Sequence, residues 1–335
     1  MNKTRTLRSV FVSSGLIPKT TPLLAQETRE KWATRVVVVT LAVLFTSALA
    51  LASTPQGTFD KTLQVTGPVD LEVLTHSGDV TVRAGSSGSV TIHGKIFVSD
   101  RWLKGNRQGD VQEIEQHPPI RQEGNSIHID YLDVHDISVD YEITVPADTA
   151  IRTRSGSGDQ IIEGTHGSVD VETGSGDVKL AKLTGEVRLQ TGSGDVRARE
   201  IAGAVKGGAG SGDIELEETG GGDIDLHTGS GDINARGIQG AFHAEAGSGD
   251  VTAEGAQRGT WEIHTGSGNV HVRLPGNAAF DADISTSSGT VDVDSPIETT
   301  VQGRVGEERK HIRGKVRGGG PLLSVRTGSG DINIQ

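Results

Sequence analysis

The chain has 335 residues, of which 47 are Gly, none is Cys and only 3% are aromatic, with a net charge of −12. The absence of Cys excludes disulfides, thiolate metal sites and a Cys nucleophile, and so few rings require an aliphatic core of small side chains. Gly does not recur every third residue, which excludes collagen, and the acidic balance disfavours nucleic acid as a partner.

Residues 1–35 are a basic leader, with seven Lys/Arg against Glu27 and Glu30. The next 17 residues, 36–52 (VVVVTLAVLFTSALALA), are uncharged and mostly apolar. Ala48-Leu49-Ala50 and Ala50-Leu51-Ala52 have the small-x-small spacing of a signal-peptidase site. The three features together read as a secretory signal. The run is also at the lower limit for spanning a bilayer, so an uncleaved anchor with its positive side inside is the alternative. Either way residues 53–335 are expected outside the cytoplasm, in the periplasm, the cell envelope or the extracellular space. They would meet the membrane only through 36–52, if that segment is retained. With +5 in the leader, they carry −17, which suits solubility or divalent cations rather than anionic membranes.

Residues 57–150 read as irregular β coils. Leu71, Val73, Thr75, Ser77-Gly78-Asp79, Val80 and Val82 set a frame that returns later. The stretch 98–125 interrupts it as an inserted loop or short helix, with one or two helical turns over Gly109–Gln116 ended by Pro118-Pro119. Strands are expected over Ser126–Tyr131 and Ile137–Val145.

From 151 to 335 a repeat dominates. The Asp of Gly-Ser-Gly-Asp falls at 159, 177, 195, 213, 232 and 250, and Asn269, Thr290 and Asp331 take the equivalent place. Eight and six residues before the Asp the chain is mostly apolar; four before, it is small; one and three after, it is apolar again. This period-two alternation means strands with one buried face. Each unit of about 18 residues is too short for a propeller blade. It reads as two strands joined at Gly-Ser-Gly, where positive φ favours glycine. Such a unit cannot bury its apolar face alone, but stacked copies can. The predicted fold is all-β: a β-solenoid of two-strand coils with GSGD turns, roughly ten coils and a rod near 50 Å. A β-sandwich would not need identical turns at fixed spacing. Residues 302–320 are a basic insertion, read as a solvated hairpin or loop. The chain stops at Gln335 just after a repeat strand, so an unpaired strand edge is expected there.

The run Tyr141–Asp148 (YEITVPAD), passing straight into Ile151–Asp159 and the GSGD ladder, resembles the DUF4097 family of bacterial β-strand-repeat proteins, which carry the provisional label adhesin. Pro118-Pro119-Ile120 with Gly124–Ile127, and Gly318–Gly320 with Arg326–Ile332, are similar to other landmarks of that family. The resemblance covers about 57–335. It implies an exported or membrane-anchored envelope protein with a solenoid fold, no enzyme activity, and no functional residues to carry over.

Two sets of residues are candidates for metal binding. The turn ladder Asp177, Asp195, Asp213, Asp232 and Asp250, headed by Asp159, should form one column. Carboxylates so close repel unless each accepts a turn N–H or cations such as calcium lie between them. On the outer strand face, His227, Glu245 and His264 in one column and Asp225, His243 and Glu262 in the next form a checkerboard. It could take zinc or simply be a charge-alternating solvated face. Catalytic motifs are absent: G-S-G-D is no nucleophile elbow, and no Walker loop occurs. No cofactor is expected beyond these ions. Three function classes remain. The first is a non-enzymatic envelope module that engages a protein or glycan at the cell surface, in a structural or adhesion-like role. The second is a membrane-anchored envelope-stress or signalling accessory. The third is a polysaccharide-active β-helix enzyme, disfavoured by minimal coils with few exposed aromatics.

Overall fold

A computed structural model describes residues 54–99, 107–294, 297–299 and 310–335. Thr54–Gln335 is one compact unit. The basic leader and the 36–52 segment lie outside the described residues.

Each repeat is two strands, as its alternation dictates. Val169–Ser175 and Val178–Leu183 form one coil, and Val187–Ser193 and Val196–Ile201 the next. The first strands of successive coils pair parallel with one another, as do the second strands. Two sheets result, of 13 and 14 strands among the described residues. Their inner faces meet in a thin aliphatic core. Val178, Val196 and Ile214 are in register and buried, as are Val169, Val187 and Val205 opposite them. Two of the few rings share adjacent coils. Phe242 and Trp261 pack edge to face at 5.7 Å, where the inner positions of the Phe242 coil include Ala244 and Ala253 and the coil before it supplies Ala235. The small residue four before the Asp is usually Thr. In several coils its hydroxyl donates to a corner carbonyl of the neighbouring coil, as from Thr228 to Gly212 (3.1 Å) and Thr265 to Gly249 (3.0 Å).

Close approach of stacked backbones excludes a side chain at both corner glycines, and one of them has a second cause. Gly158 sits at φ +123°, a conformation side chains avoid. Gly174 has no such φ, but a Cβ there would lie 2.6 Å from the carbonyl oxygen of Gly156. Close approach of stacked backbones therefore sets that position, where the sequence suggested only turn conformation.

Chain order and spatial order part at both ends. Between Thr149–Ser157 and Trp261–Ser267 the coils stack in sequence. Beyond that, the coil Leu322–Ser329 and Ile332–Ile334 inserts between Trp261–Arg273 and Phe280–Val293. This corrects the expectation of an open edge after Gln335: the last strand is an interior one, hydrogen-bonded on both sides. At the outer end the 14-stranded sheet continues with His311–Val316, antiparallel to Phe280–Ser288, and with Ile297–Thr299, while Val291–Val293 is the last described strand of the 13-stranded sheet. The basic insertion is thus partly a strand, and residues 300–309 lie outside the described residues. At the other end the first coil, Val69–Ala84, is covered by the later segments Ser126–Ile129 and Ile137–Val145. Eleven coils stack in all, about 50 Å at 4.8 Å per coil.

The N-terminal end carries a cap of its own. Gly57–Gln64 and Ser89–Val98 add antiparallel strands to one sheet, and Phe59 lies over Gly94 and edge-on to Tyr141. The interruption at 98–125 contains the helix Gln108–Gln116, whose Val111 and Ile114 are buried. Its Glu115 accepts the Thr58 N–H of the edge strand at 3.0 Å, occupying a donor that another chain could otherwise pair with.

Candidate functional site

The aspartate column forms as the spacing predicted, and it is longer than the repeat suggested. The Oδ1 of Asp140 accepts the Asp79 N–H, and Asp79 accepts that of Asp159. The file continues through Asp177, Asp195, Asp213, Asp232 and Asp250 to Asn269, then Asp331, then Thr290. The bonds run from 2.7 to 3.2 Å. Asp140 escaped the sequence reading because its coil lies out of chain order and lacks the GSG corner. Each carboxylate therefore caps the next turn, the physical role open to Asp in such corners.

Compensation of the column is uneven. Lys179 lies 3.1 Å from Asp159 and 4.0 Å from Asp177; Arg197 lies 3.6 Å from Asp177 and 2.9 Å from Asp195. Two positions after Asp213, Asp232 and Asp250 stand Glu215, Asn234 and Thr252 instead. The ends of the column titrate in opposite senses. Burial pushes the Asp140 carboxyl up, against the lowering by the Asp79 N–H. The Thr290 N–H and hydroxyl hold Asp331 below its ordinary value.

The outer checkerboard is also in place. Asp225, His243 and Glu262 are in register on adjacent strands, as are His227, Glu245 and His264. His243 meets Glu262 at 3.7 Å, Lys206 pairs with Asp225 at 3.3 Å, and the His227 ring lies over Gly208. The pairs are those of a charge-alternating face, each contributing a few tenths of a kcal/mol. Among the described residues no three His, Asp or Glu side chains converge on a point that could hold a metal ion.

Three features were not read from the sequence. Glu218 is buried, and its carboxylate accepts the N–H groups of Gly220, Gly221, Gly222 and Gln239; the run of three glycines after it was the available signal. Asp283 binds His311 at 2.9 Å and Arg313 at 2.8 Å, fastening the closing strand to the stack. The Arg313 guanidinium, with His311, holds its carboxyl below the ordinary value. The third is a groove of about 500 Å³ on the outer face of the 14-stranded sheet. Its floor is the backbone of Gly156, Gly174 and Gly192, its side is formed by Arg154, Glu172 and Gln190, and its end by His76 and Tyr131.

A two-sheet β-solenoid with an Asp file along its corners and a groove along one face is the class of protein these features define. The chain belongs to the Toastrack DUF4097 family, whose model matches residues 27–201 and 70–335. Two solved structures are similar to it at 12% identity. One, from Clostridium sporogenes ATCC 15579, is provisionally named a cell adhesion protein; the match covers 83% of this chain and 98% of that one, with a TM-score of 0.19. The other, from Bacteroides fragilis NCTC 9343, is provisionally named an adhesin; the match covers 84% and 98%, with a TM-score of 0.35. No curated protein matches the chain significantly. Among the described residues no helix is long and apolar enough to cross a membrane.

Proposed function

We propose that the protein is a non-enzymatic, exported module of the bacterial cell envelope, in a structural or adhesion-like role, whose long sheet face engages a partner protein or glycan. The carrying observation is the capped rod. Every coil presents the same outer positions at one rise, so a side-chain pattern becomes a regular flat array. The irregular strands and the helix that cover part of each end leave the two long faces as the largest regular surfaces of the rod. The shifted carboxyls and guanidinium have structural causes: Asp283 with Arg313, Glu142 with Lys95, Asp331 with Thr290, and Asp140 through burial. Export is supported by the basic leader, the apolar run with its small-x-small sites, and the −17 charge beyond them. The second reading, an anchored envelope-stress or signalling accessory, is favoured by the length of the leader and by a run long enough to stay in the membrane.

Expression with the native leader, cell fractionation and N-terminal sequencing test this. A soluble exported product beginning at residue 51 or 53 supports secretion. An intact chain in the membrane fraction supports the anchored form. Retention in the cytoplasm overturns export. Purified protein incubated with isolated envelopes should co-sediment with them, and failure to do so removes the surface-binding role.

A further inference from the structure

We infer that the groove on the 14-stranded sheet is a subsite for a neutral hexose glycan; this deepens the surface-binding reading and rests on it. Its end wall is Tyr131 stacked on His76, with ring centroids 4.5 Å apart and planes 25° from parallel. Tyr131 is 43% exposed, the only large aromatic side chain so exposed among the described residues. The chain has one other Tyr, and Tyr141 is buried. A ring left in water beside an imidazole offers a flat apolar surface with a polar tip, which suits the C–H face of a pyranose.

The side wall supplies the polar complement. Arg154, Glu172 and Gln190 are in register on three successive strands, about 4.8 Å apart, a rise comparable to one sugar unit of an extended glycan. All three end in planar groups able to pair with vicinal hydroxyls. Arg154 and Glu172 meet at 3.3 Å and cancel in charge. Among the described residues the Gln190 amide makes no side-chain hydrogen bond within the protein, so both its donor and acceptor are available. The glycine floor is explained by backbone crowding, as at Gly174; the ligand assignment comes from the aromatic end and the neutral polar wall.

Alternative occupants fit less well. A net-neutral wall on an exported part carrying −17 disfavours an anionic polymer. A peptide bound by strand addition needs an open edge, whereas the strands under this groove, Thr149–Ser157, Val169–Ser175 and Val187–Ser193, are paired on both sides.

The test is calorimetric titration of the full chain, in a non-glycosidic detergent, with cellohexaose, laminarihexaose and maltohexaose. At least one should bind, and Tyr131→Ala and Gln190→Ala should each weaken it about tenfold. Glu245→Ala, on the same face beyond the groove, should leave the affinity unchanged, and all variants should melt like the parent. Saturation-transfer NMR should place the contact on ring C–H groups of the sugar. No binding of any hexaose at millimolar concentration, or binding indifferent to Tyr131→Ala, overturns the subsite. Co-sedimentation with envelopes in the absence of hexaose binding removes the subsite alone; loss of both removes the surface-binding reading as well.

Discussion

Between Thr149 and Arg273 the rod grows in chain order, one coil on the last, while at its two ends later segments cover earlier ones. In the middle every coil meets a copy of itself above and below, so a single pattern satisfies backbone, core and corner at once. That pattern cannot stop itself, because a repeat strand always offers its next neighbour an edge. The N-terminal end solves this with an antiparallel pair and a helix whose Glu115 takes an edge N–H. The C-terminal end buries its regular last coil and covers one of its two sheets with a strand fastened through Asp283. The helix Gln108–Gln116 and the strand His311–Val316, from the two interruptions, thus help to cover the ends of the regular region.

Ile332 sharpens the comparison most. It is three residues from the end of the chain, yet it is buried between Val270 and Val291. Ile332→Asp should cost about 4 kcal/mol, as in a central coil, whereas Val291→Asp, on the half-buried outermost strand of its sheet, should cost roughly half as much. Urea denaturation checks this, and equal, small effects would place the C-terminal coil at the end of the rod after all.

Next in size come the glycines. Gly158→Ala combines positive φ with collision against the Gly78 carbonyl and should cost about 3 kcal/mol. Gly88→Ala, at φ +94° with open space around it, should cost about 1 kcal/mol.

Gln160 is the weak place in the regular core. It is 0% exposed, stands between Val80 and Val178, and neither amide atom has a hydrogen-bond partner. Gln160→Val should raise stability by about 1–3 kcal/mol, read as a higher urea midpoint at unchanged slope; a lower midpoint would show that the amide is satisfied.

Acid should separate the two caps. Asp283 and Asp331 titrate below their ordinary 3.8 in the folded chain, so their stabilisation is present above that pH and is lost as pH falls through the folded values. Asp140 is shifted upward, so its contribution has the opposite sign: it is present below 3.8 and lost as pH rises through the folded value. Below about pH 3.8, hydrogen exchange at His311–Val316 should therefore accelerate before exchange at Ile137–Val145. The reverse order would refute the assignment.

Much of this architecture was legible because one physical requirement recurs every 18 or 19 residues. Alternation marked the strands, Gly-Ser-Gly the corners, and the Asp spacing a column whose members cap one another. The groove was not legible, because His76, Tyr131, Arg154, Glu172 and Gln190 come from five strands or loops and share no motif. Their neighbourhood exists only once Ser126–Ile129 has settled on Val69–Ser77.

Local sequence thus determined the coil, its inner and outer faces and its pitch, since these depend on the alternation of side chains and on where a Cβ can be tolerated. The order of coils at the two ends, the burial of Ile332 and the membership of Asp140 in the file were decided by tertiary structure. One repeat strand accepts any other in register, so local pattern is indifferent to which copy lies above. Only the long-range need to bury apolar faces and occupy exposed edges selects the arrangement.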